Sequence, residues 1–152
     1  MVRGAFGILV GLLVVGAVAG CGGGDESHLS KAQFTKQAEA ICTSAYKERQ
    51  KQGQFALDHP DKAGINDKSP NASEELVVKV ALPPVIKMTE ELEELSPPEA
   101  DEETVEAFVD ALNKEIENFE EDPNAALIAG RSAYANASKI ANELDLESCA
   151  KF

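Results

Sequence analysis

Residues 104–119 read TVEAFVDALNKEIENF, and this stretch decides the fold class. Val105, Val109, Leu112, Ile116 and Phe119 recur four and three residues apart with Phe108 beside them, the spacing of one apolar face on an amphipathic helix. Asp101 stands where an N-cap belongs, and Glu102, Glu103 and Glu106 place negative charge in the first turns, where the helix dipole favours it. On the C-terminal side Asp122-Pro123 stops the helix and can cap the next turn, since proline is tolerated at a first helical position.

Upstream, Val77, Ala81, Val85, Met88, Leu92 and Leu95 form a second helical stripe that starts near Ser73 and runs through Pro83-Pro84. Proline in a helix interior loses a hydrogen bond and crowds the preceding turn, so two shorter helices are expected to meet there, with Pro83 near the start of the second. Ser96-Pro97-Pro98 ends this element. Glu90, Glu91, Glu93 and Glu94 flank the stripe and read as a solvated face, a cation site being the alternative.

Earlier still, Ser30 followed by Gln33 is a capping box, and a helix from there to about Gln52 carries Phe34, Ala38, Ile41, Cys42 and Ala45 on one face, with Gly53 as its expected stop. The last helix carries Tyr134, Ala137, Ile140, Ala141 and Leu144 and begins at either Asp122 or Ser132, Gly130 favouring the later start. Every strong period is helical. The expectation is an all-α, four-helix-type bundle.

Residues 53–72 hold two prolines, two glycines and no sustained period, and read as a loop. Phe55, Leu57 and Ile65 argue against simple disorder; they either strap across the end of the bundle or line a lid over a ligand pocket. Asp58, Asp61 and Asp67 do not make an EF-hand, because Pro60 and Lys62 stand where that loop needs oxygen ligands.

The chain's first residues concern its address. Met1 and Arg3 give a positive start, Gly4 to Ala17 is uncharged and apolar, and Val18-Ala19-Gly20-Cys21 reads as a lipobox. On that reading residues 1–20 are a cleaved lipoprotein signal peptide, and Cys21 carries diacylglycerol as the acylated first residue. Residues 21–29, with Gly22-Gly23-Gly24, form a flexible tether, and residues 30–152 are one helical domain. An uncleaved anchor helix, or an ordinary secretory signal with Cys21 following by chance, would equally leave the rest outside the cytoplasm.

Acylation of Cys21 leaves Cys42 and Cys149 as a pair, and an exported context favours a disulfide between them. A redox-active or metal-binding thiol pair is disfavoured, since there is no C-x-x-C spacing and no nearby histidine. The chain has 14 basic and 27 acidic side chains, a formal net charge of −13. Loss of Arg3 with the signal leaves 13 against 27, or −14, a charge that repels nucleic acid and anionic head groups.

The order of Phe34, Ala40-Ile41-Cys42, Leu82-Pro83, Leu92, Leu95, Pro97-Pro98, Asp122-Pro123, Ala133 to Ala141, and Leu146 before Cys149 resembles a family of small exported helical lipoproteins of actinobacteria. The resemblance implies an envelope location, a helical fold and the cysteine pair, and supplies no catalytic residue. It departs at Leu144-Asp145-Leu146, where similar sequences often carry tyrosine and glycine, so the end of the last helix stays open.

Catalysis finds little support. The only histidines, His28 and His59, fall in the tether and the loop, which leaves no histidine-based triad and no three-histidine zinc site. Abundant surface glutamates do not select a glycosidase pair. There is no Trp to line a sugar groove and no phosphate-cradling loop. The expectation is therefore a non-enzymatic, cofactor-free binding or scaffolding module at the outer face of a bacterial cell membrane, held by its lipid and paired with an envelope protein. The alternatives are a carrier or sensor of a small apolar ligand held between the helices, with Phe55, Leu57 and Ile65 as candidate contacts, and an envelope hydrolase.

Overall fold

The computed structural model describes residues 28–152; the lipobox, Cys21 and the glycine tether lie outside the described residues. Every regular element among the described residues is helical. Helix α1 (Lys31–Asp58) opens with the expected capping box: the Gln33 N–H donates to Ser30 Oγ at 3.4 Å, and the Ser30 N–H donates to Gln33 Oε1 at 3.1 Å. Phe34, Ala38, Cys42 and Ala45 are buried on one face as the spacing predicts.

The expected end of α1 at Gln52 is too early. Glycine weakens a helix by about 1 kcal/mol relative to alanine, which does not end one whose next turn is anchored by a buried side chain. Ala56 is buried against Ile65 and Val80 in a small second core, and that contact carries α1 past Gly53. The stop is His59-Pro60. A residue before proline is disfavoured in the helical region, and His59 sits at φ −141°, ψ 62°.

Residues 59–71 then fold into consecutive turns, with the Ile65 N–H donating to Pro60 O at 2.8 Å and Gly64 supplying a positive φ of 73°. Their buried side chain, Ile65, makes this segment a strap across the second half of α1.

Helix α2 (Ala72–Leu76) runs into a single wide π turn (Val77–Ala81), and α3 (Pro83–Glu93) follows. The break at the prolines is as expected; the π turn is not. Pro83 and Pro84 have no N–H to continue the ladder, and the chain widens before them, the Leu82 N–H reaching Val77 O at 2.9 Å. Helix α4 (Glu102–Glu121) buries all six expected apolar residues and, in addition, Glu115. Asp101 occupies its N-cap without a capping bond; the carboxylate instead lies 3.8 Å from Lys31 Nζ.

The last helical stretch is two helices. Helix α5 (Pro123–Ala129) is capped by Asp122, whose Oδ1 accepts from the Asn124 N–H at 3.1 Å, and it ends at Gly130 with φ 56°. Helix α6 (Ala135–Glu143) starts beyond both expected positions. Four helices, α1, α3, α4 and α6, pack in that order around one core, while α2, the π turn and α5 close one end, so the four-helix-type description gains two short helices. The Cys42–Cys149 disulfide joins α1 to the terminal 3-10 turn (Cys149–Lys151) across a separation of 107 residues. Thr43 Oγ1 donates to Ser148 Oγ at 3.0 Å and the Ser148 N–H to Glu39 Oε1 at 2.8 Å, fastening the tail to the same helix. Leu29 also packs against the core, its N–H bonded to Ser96 O at 2.9 Å.

Candidate ligand groove

The three apolar residues expected over a pocket do not converge. Ile65 is in the small second core, Phe55 is 46% exposed with its ring edge-on to His59, and Leu57 is 70% exposed beside a shallow depression formed by α1 alone. The glutamates around the α3 stripe are dispersed too: Glu91 pairs with Lys87 at 3.4 Å, and Glu93 accepts from Asn113 Nδ2 at 2.8 Å. Among the described residues no group of three His, Cys, Asp or Glu side chains is placed to hold a metal ion, and no helix is long and apolar enough to cross a membrane.

The concavity with chemical character lies at the closed end of the bundle. There α1, the π turn, α5 and the tail meet around an open groove of about 580 Å³, within the range typical of small-molecule sites. Tyr46, Arg49 and Gln50 line it from α1; their spacing of three and four puts them on one face. Leu76, Val77, Ala81 and Leu82 form one apolar side and Ala126 and Leu127 of α5 the other. Arg131, Ala133, Tyr134, Lys151 and Phe152 complete the wall.

The proline-driven widening before Pro83 therefore builds one wall of the groove, and the disulfide holds another by fixing the tail that carries Phe152.

A chain of edge-to-face rings runs from this rim into the core. Tyr46 meets Phe152 at 6.0 Å between centroids, Phe152 meets Tyr134 at 6.4 Å, and Tyr134 meets Phe119 at 5.5 Å. Such pairs add about 0.5–1.5 kcal/mol beyond their buried area. The half-buried Arg49 guanidinium stands over two of them, 5.8 Å from the Tyr134 centroid and 6.0 Å from that of Phe152. Ring faces attract the cation and orient it, but leave its N–H donors free. Burial pushes the Tyr134 hydroxyl up to about 12, against the opposing pull of Arg49, so the ring stays neutral at physiological pH.

Glu115 lies behind this wall. Its Oε1 accepts the Asn136 N–H at 3.0 Å, so a side chain of α4 satisfies one of the open donors at the start of α6. Its Oε2 is buried without a partner, and desolvation holds the carboxyl above its ordinary value despite the backbone bonds that favour the charge. The carboxyl serves the helix joint.

No family model, curated protein or solved structure matches this chain. Sequence reasoning missed this groove because its residues come from segments separated along the chain.

Proposed function

We propose that this chain is a non-catalytic binding module, held at the outer face of a bacterial cell membrane by lipid on Cys21, and that the groove between α1, the π turn, α5 and the tail is its binding surface. The observation that carries the reading is the composition of that groove: aromatic and aliphatic walls with a few convergent polar groups, the mixture found in small-molecule sites. Scaffolding of an envelope protein is the competing reading, favoured by Ile128, which is 87% exposed beside the groove residue Leu127.

Native mass measurement of the lipidated protein, extracted gently from an actinobacterial host, separates the two. The expected result is a discrete small adduct beyond the anchor lipid, lost in Leu127→Asp, a change on a side chain already 43% exposed that leaves thermal unfolding in place. A co-purifying polypeptide that L127D does not disturb, with no adduct, would overturn the groove reading. So would the absence of any adduct on the wild-type protein.

A further inference from the structure

If the groove is the binding surface, its chemistry also selects a class of ligand. The geometry points to a small anionic amphiphile: one carboxylate or phosphate head on a single apolar body, bound one molecule at a time. Charge is the first argument. Acidic side chains outnumber basic ones 27 to 14, yet the groove is lined by Arg49, Arg131 and Lys151 and by no Asp or Glu side chain. Among the described residues, none of these three cations has a carboxylate within 4 Å, and none of their side-chain nitrogens donates a hydrogen bond within the protein. Outside the groove Lys31, Lys51, Lys79 and Lys87 have a carboxylate within 4 Å while other surface lysines have none among the described residues, so the groove cations are marked by sharing one concavity that no acidic side chain lines.

Shape and chemistry give the second argument. Arg49 is oriented by Tyr134 and Phe152 with its planar donor fork unspent, the arrangement that suits two-pronged binding of a carboxylate or phosphate. Beside it, Val77 and Leu127 offer an apolar bed for the body of the same molecule. A neutral apolar ligand would leave the cations idle, and a cationic one would be repelled by them. An extended polyanion or an anionic bilayer would meet the field of a chain of net charge −13, which a single short acid slotting between the three cations avoids.

The test uses the chain lacking residues 1–20 with Cys21→Ser, which retains the whole described core and the disulfide. It is titrated at pH 7 with decanoate, decan-1-ol and decylammonium, each below its aggregation threshold, while the ring resonances of Tyr46, Tyr134 and Phe152 are followed. Decanoate is expected to bind about tenfold tighter than decan-1-ol, the yield of one or two charge-assisted contacts at a partly exposed site. Decylammonium binds weakest, and added salt weakens decanoate alone. Arg131→Gln with Lys151→Gln, both at exposed positions, brings decanoate towards the alcohol's affinity without changing the melting temperature; Arg49→Gln does so more strongly.

Equal binding of all three probes would overturn the acid preference while leaving the groove a binding site. Failure of all three to bind would overturn this proposal, and the native-mass measurement still judges the groove independently. Flotation with phosphatidylglycerol vesicles that depends on these cations, without binding of monomeric decanoate, would reassign them to a bilayer surface and overturn the single-ligand proposal.

Discussion

Asp145 is the one non-glycine residue with positive φ among the described residues, at 60°. It follows the last turn of α6, where the Leu146 N–H returns to Ala141 O at 2.8 Å and the Asp145 N–H to Asn142 O at 3.3 Å, the paired bonds of a Schellman stop. This settles the helix end that Leu144-Asp145-Leu146 leaves open in the sequence. The left-handed region costs an L-residue about 1–2 kcal/mol, less for Asp, and glycine removes that cost while adding freedom to the unfolded chain. Asp145→Gly should therefore raise stability by a net of about 0.5–1 kcal/mol, seen as a higher denaturant midpoint with an unchanged slope. A fall in the midpoint would mean that the Asp145 side chain contributes more than its backbone conformation costs. Arg49 belongs to the same scale: periodicity alone makes it one more surface cation, and only its rings distinguish it.

At the scale of elements, α4 was legible because its apolar period depends on nothing outside the helix, and all six expected residues are buried. The ends of α1 and α6 were not, since each is set by a tertiary partner: Ala56 carries α1 past Gly53, and Glu115 of α4 meets the start of α6. That second joint predicts a pH dependence. The folded-state pKa of Glu115 is raised by burial, so its share of stability is fully present below the unfolded value and is lost as pH rises through the folded one. Glu115→Gln keeps an acceptor for the Asn136 N–H and removes the titration. Stability of the variant relative to wild type should thus climb from acid towards neutral pH, as followed by thermal melts at several pH values. A difference that stays flat with pH would show that the Glu115 carboxyl titrates alike in the folded and unfolded chain. One cue to the groove was also present at this scale. Tyr46 and Arg49 lie four and seven residues past Cys42, on its side of α1, and Phe152 lies three past Cys149, so the paired cysteines already bring these residues to one neighbourhood.

For the whole molecule the Cys42–Cys149 bond does two things that can be separated. It closes a span of 107 residues, which in the chain-entropy model stabilises the fold by about 4–5 kcal/mol, commonly less in practice. It also holds Phe152 against Tyr46 and Tyr134, so that one wall of the groove depends on a tail otherwise fastened by the hydrogen bonds at Ser148 and the burial of Leu146 and Phe152. The helical core reaches beyond this tail: α3 packs directly on α1 and α4, and Val85, Met88, Leu92, Phe108 and Leu112 are buried in the cluster these helices share. Cys42→Ala with Cys149→Ala should accordingly lower the denaturant midpoint, and it should also uncouple two events that are expected to coincide in the oxidised protein. As denaturant is added, decanoate binding should be lost while far-UV circular dichroism still reports the helices, because release of a short terminal segment requires less free energy than global unfolding. If binding and helicity instead vanish together in the double variant, the tail is held by its packing alone. The disulfide would then act on the unfolded chain and have no part in shaping the groove.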